Sequence, residues 1–145
     1  MIDRRLFPTL WLLIAAFVCG CGDSGASSAT VASGEGSVAK GLEAADKGDW
    51  AAAETELIAA IADGALQPDM SEKAILTLAR ARIELGKFDD AAKDIALIEQ
   101  GAAEMDQVWL VKCALAIKKG DAAGAKAAFA EAKKFNPGVK APPGL

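Results

Sequence analysis

The chain has no histidine and no tyrosine in 145 residues, and only three cysteines, Cys19, Cys21 and Cys113. Without histidine it lacks the side chain that titrates near neutrality and the commonest metal ligand. The cysteines are too scattered to supply metal-ligand spacing. Aromatics make up only 6% of the residues, so any core must be built from alanine and aliphatic side chains packed closely. Long apolar runs are missing too. The longest, Leu6 to Val18, covers 13 residues broken by Pro8 and Thr9, whereas a bilayer span needs about 20. Basic residues are outnumbered 16 to 20, a formal charge of −4, and no segment gathers enough lysine or arginine to suggest nucleic acid as partner. Neither Gly34-Glu35-Gly36 nor Gly120-Asp121 has the further glycines or the preceding strand of a phosphate loop. Asp89, Asp90, Asp94 and Glu84 read as a solvated helix surface. These absences predict a protein with no catalytic residues, no metal and no cofactor.

What is present begins at the N-terminus. Asp3-Arg4-Arg5 precedes the short apolar stretch, which ends in Val18-Cys19-Gly20-Cys21. A charged start, a brief apolar core and a small-residue cleavage box make an export signal. The box resembles that of bacterial lipoprotein precursors, with Cys21 as the acylated residue; Cys19 fits less well, because Phe17 and Val18 would precede it. Arg4-Arg5-Leu6-Phe7 touches the twin-arginine pattern, but Asp3 and Pro8 weaken that reading. The resemblance implies removal of residues 1–20, a diacylglyceryl thioether on Cys21 and stable anchoring by two or more acyl chains. It also implies a cell-envelope location facing the periplasm, with Gly22 favouring the outer membrane. Residues 21–36, rich in Gly, Ser and Ala, are expected to form a flexible tether with a reach of about 20 Å.

Beyond the tether, a glycine-led pattern recurs at Gly48-Asp49-Trp50, Gly86-Lys87-Phe88 and Gly120-Asp121-Ala122. Five residues after each glycine stand Ala53, Ala91 and Ala125; nine after, Leu57, Ile95 and Phe129; twelve after, Ala60, Ile98 and Ala132. Apolar residues between these joints recur at three- and four-residue spacings, as amphipathic helices require. The reading is therefore all-α, with helices at about 37–47, 50–62, 71–85, 88–100, 105–119 and 122–135. Asp49, Asp69 with Glu72, Ser71 and Asp121 are the expected caps. Gly48, Gly86, Gly101 and Gly120 are the expected stops, and Asn136-Pro137-Gly138 ends the last helix. Residues 137–145, with Pro137, Pro142 and Pro143, are read as a tail that cannot form a further capping helix.

This pattern resembles the tetratricopeptide repeat family, whose unit is a helix hairpin of about 34 residues. The carrying residues are Gly41, Ala79 and Cys113 at the small first-helix position and Ala53, Ala91 and Ala125 at the helix crossing. Trp50 and Phe88 match the aromatic after the glycine, and Pro137 the terminal proline. Ala122 and Ile98 depart from the pattern, as does the spacing of the glycines, 38 and then 34 residues, which puts an insertion in Asp63–Asp69. The resemblance implies three hairpins, at about 37–70, 71–104 and 105–136, forming a short right-handed α-solenoid. It places Cys113 in a packed site, as a buried and inert thiol.

In that family the first helix of each hairpin lines a concave groove. Carried over, the groove residues are Val38, Leu42 and Ala45, then Leu76, Arg80 and Ile83, then Leu110, Ala114 and Ile117. The implied function is a membrane-tethered, non-catalytic adaptor holding a protein segment in an apolar groove. Charge offers an alternative. After loss of residues 1–20, residues 39–70 sum to −5 and 105–145 to +4, a gradient suited to weak head-to-tail self-association in an envelope assembly.

Overall fold

The computed structural model describes residues 25–145, with side chains from residue 34. All the regular structure among these residues is helical: α1 (Gly25–Asp46), α2 (Trp50–Ala62), α3 (Pro68–Glu84), α4 (Phe88–Ile98), α5 (Met105–Lys118) and α6 (Ala122–Phe135). No helix among them is long and apolar enough to cross a membrane. Cys21 and the cleavage box lie outside the described residues.

The three glycine joints are built alike. Gly48, Gly86 and Gly120 all have φ of 76°, a conformation in which a side chain would strain the backbone. At each joint the following N–H reaches the carbonyl five residues back: Asp49 to Ala44 at 2.9 Å, Lys87 to Arg82 at 2.8 Å, Asp121 to Ala116 at 2.9 Å. The glycine N–H groups donate to Ala45, Ile83 and Ile117. This pair of bonds ends a helix by satisfying its last carbonyls. Asp49 and Asp121 then cap the next helix, accepting from the amides of Ala52 and Gly124. Lys87 makes no such cap.

Helix α1 departs from the expected tether. It begins at Gly25, so residues 25–36 are helical and not coil. A tertiary contact supports its middle: a Cβ at Gly34 would stand 3.2 Å from Leu66, so the bare glycine lets the loop after α2 pack against α1. Alanine and serine in the stretch tolerate a helix once a neighbour supports it. Helix α3 also starts earlier than predicted, at Pro68. Proline suits a first helical turn, where its missing N–H leaves no orphan. Its cap residue is Gln67, with no side-chain bond, so Asp69 and Ser71 lie inside the helix.

Gly41 of α1 packs against Leu57 of α2, while Gly34 faces Ala60, three residues further along α2. Position falls along α1 as it rises along α2, so the two run antiparallel. Helices α3–α4 and α5–α6 pair in the same sequential way, and α2 packs on α3 as α4 packs on α5. The first helices touch as well, α1 with α3 and α3 with α5, whereas α2, α4 and α6 do not touch one another. The described array is thus drawn together along α1, α3 and α5.

The repeated columns are buried, apart from Phe129, which is half-buried. Ala53 and Ala91 are fully buried and Ala125 is 1% exposed; Gly41, Ala79 and Cys113 are buried opposite. Three small cores follow. Val38, Leu57, Ala60 and Leu78 form the first, Leu76, Ile95, Ile98 and Val108 the second, Cys113, Ala125 and Ala128 the third. Each holds few large side chains, so contact between hairpins supplies much of the stability.

Candidate functional site

A cleft of about 1100 Å³ opens between the first half of α3, the end of α4, the loop after it and the start of α5. Its accessible apolar surface comes from Ile75, Leu97 and Val111, next to Leu76 and Ile98 of the second core; its polar lining is Asp69, Lys73, Thr77, Arg80, Glu104 and Gln107. Glu72 fixes the geometry. Its carboxylate accepts the backbone N–H of Ala103 at 3.0 Å and of Glu104 at 2.9 Å. Two N–H groups at the start of α5 thereby gain an anionic partner at the positive end of the helix. Because α3 carries that carboxylate, the cleft's width is set by a direct tie across it.

The nine groove residues expected from sequence do not share one surface. Leu76 and Arg80 line the cleft. Val38 is fully buried and Ile83 only 1% exposed, so both are core residues, which corrects their assignment to the groove. Leu42 and Ala45 pack on the first core. Ile117 packs on the third, with Gly144 of the tail beside it. Leu110 and Ala114 are half-buried and lie away from the cleft. Helix α5 instead presents Gln107 and Val111. These two stand one turn apart and with Glu104 make a three- and four-residue stripe, a signal present in the sequence but one step round the helix from the positions chosen.

Ion pairs tie the hairpins behind the cleft. Arg82 of α3 holds Asp94 of α4 through both carboxylate oxygens at 2.7 Å and reaches Glu54 of α2 at 3.4 Å. Lys87 completes the group, donating to Glu54 at 2.6 Å. Burial raises the Asp94 carboxyl above its ordinary value, and the Arg82 charge opposes that rise without cancelling it. Lys118 pairs with Glu84 at 2.6 Å, and Lys112 pairs with Glu99 while lying 4.4 Å from the Trp109 ring centre. Cys113 is fully buried, and burial pushes its thiol pKa up. Among the described residues no cluster of three cysteine, aspartate or glutamate side chains could hold a metal ion. The cleft can therefore offer apolar area and a mixed-charge rim, which suits binding of a chain segment.

No family model, curated protein or solved structure matches the chain.

Proposed function

We propose that this protein is a lipid-anchored adaptor of the bacterial cell envelope, built from three tetratricopeptide-like hairpins in a short right-handed solenoid. It binds a segment of a partner protein without catalysis. The observation that carries the binding role is the α3–α5 cleft, where Ile75, Leu97 and Val111 offer apolar surface beside polar side chains of both charge signs. The repeat reading is supported by the three identical glycine joints, each with φ of 76°, and by the buried alanine at each helix crossing. Apolar floor and polar rim together suit an extended segment or an amphipathic helix.

The test replaces two exposed rim residues, Arg80→Glu and Gln107→Lys, and compares the variant with the intact protein in crosslinking from envelope membranes. A client held by the intact protein and lost by an equally stable variant supports the reading. Equal recovery sinks it. Anchoring is tested separately: Cys21→Ser is expected to move the protein from the membrane to the soluble fraction, and retention on the membrane would refute acylation at that residue.

A further inference from the structure

Each interface between successive hairpins carries an ion pair whose place can be counted from the joint glycines. In both, a carboxylate on the second helix of one hairpin, or just past its end, meets a cation on the first helix of the next. Glu54, six residues after Gly48, meets Arg82, four before Gly86. Glu99, thirteen after Gly86, pairs with Lys112, eight before Gly120. The two pairs mark two positions, and at the counterpart position of each interface the residues are apolar or small. Ile61 and Leu78 fill the second position of the first interface, in its hydrophobic core; Ala92 and Ala116 stand at the first position of the second interface.

Helix α6 carries the same two positions, but with the charge reversed. They are Lys126, six residues after Gly120, and Lys133, thirteen after it. Both are exposed, as are Ala123, Ala127 and Ala130 along the same helix. Among the described residues neither lysine joins an ion pair; Lys133 lies 4.9 Å from the Phe129 ring centre. Near the start of this helix the tail residues Gly144 and Leu145 border Ala122, Ala125 and Lys126.

We propose that this face of α6 docks an acidic helix of a partner protein, one that carries two carboxylates a turn apart where α3 carries Leu78 and Arg82. Small alanines allow a helix backbone to approach closely, and the two lysines set its register by charge. A second copy of this chain does not meet the requirement. In the same register its α1 would offer Ala44 to Lys126 and set Lys40 against Lys133, and like charges in contact repel.

The probe is a synthetic peptide copying Pro68–Leu85 with Leu78→Glu and Arg82→Glu, titrated as a fluorescent conjugate into the full chain at low salt. A control peptide carries Gln at both positions. The acidic peptide is expected to bind about tenfold more tightly than the control, an advantage lost in the Lys126→Glu, Lys133→Glu variant and at high salt. Both lysines are exposed, so the variant keeps the fold, and its circular dichroism checks this. A peptide with Lys at the two positions should regain binding to the charge-reversed variant. No binding of the acidic peptide, equal binding of the control, or an unchanged affinity in the double variant overturns the proposal. So does dimerisation of the unaltered chain at low salt that the double variant abolishes, since a second copy would then be the occupant.

Discussion

Gly41 and Leu57 meet so closely that a Cβ on Gly41 would stand 2.6 Å from the Leu57 Cγ and 2.8 Å from its Cδ2. Leu57 is fully buried, so it has nowhere to move. This contact sets how near α1 and α2 lie.

Gly41→Ala pits two effects against each other. Helix propensity favours alanine by about 1 kcal/mol, while overpacking a core contact costs about 1 to 3 kcal/mol. The clash wins, so urea melts should show a net loss of about 1 kcal/mol. Gly36, in the same helix, has nothing within 4 Å of its Cβ position. Gly36→Ala should therefore stabilise by about 0.5 to 1 kcal/mol. If both changes had the same sign, the α1–α2 packing described above would be wrong.

Ala53 is fully buried in the first core, among residues of α1, α2 and α3. Ala53→Leu is expected to cost about 1 to 3 kcal/mol by forcing the helices apart, and the parallel change at Ala91 should behave alike. A neutral melt at either position would break the equivalence of the repeats.

Glu72 caps a helix in the next hairpin through the amides of Ala103 and Glu104. Glu72→Ala should cost about 1 to 2 kcal/mol, because two amides lose an anionic acceptor. Amide exchange at residues 103 and 104 should accelerate more than in α2. Uniform acceleration would mean that Glu72 acts otherwise than as a cap.

Cys113 is expected to resist thiol reagents in the native state and react on unfolding, in a chain with Cys19 and Cys21 replaced by serine. Burial raises its folded pKa above the ordinary 9.0. The sign follows from linkage: above that value the unfolded state releases the proton first, so its stabilising contribution is complete below pH 9 and is lost as pH rises. The limiting slope is about 1.4 kcal/mol per pH unit. Cys113→Ala should remove that part of the alkaline slope, and an identical slope in both proteins would contradict the burial.

Much of the helical layout was legible because its signals are local. Gly48, Gly86 and Gly120 mark joints by a backbone conformation that glycine alone adopts freely, and Asp49 and Asp121 mark starts through bonds to amides three residues on. The start of α1 was not legible, since a Gly-, Ser- and Ala-rich stretch carries no apolar periodicity, and the contact of Gly34 with Leu66 is a tertiary one. The cleft was legible only in part. Leu76 and Arg80 border it, Leu76 while belonging to the second core, whereas Val38 and Ile83 satisfy the same periodicity and are buried away from it.

By itself the sequence determined where the chain bends and which columns stay small, because turn geometry and close helix crossings constrain residue type directly. Only the tertiary structure decided which apolar face meets water. A helix shows the same periodicity whether its stripe is covered by a neighbour or left open. Gln107 and Val111 therefore became cleft residues, and Ile117 a packed one, through the placement of α3 and of the tail.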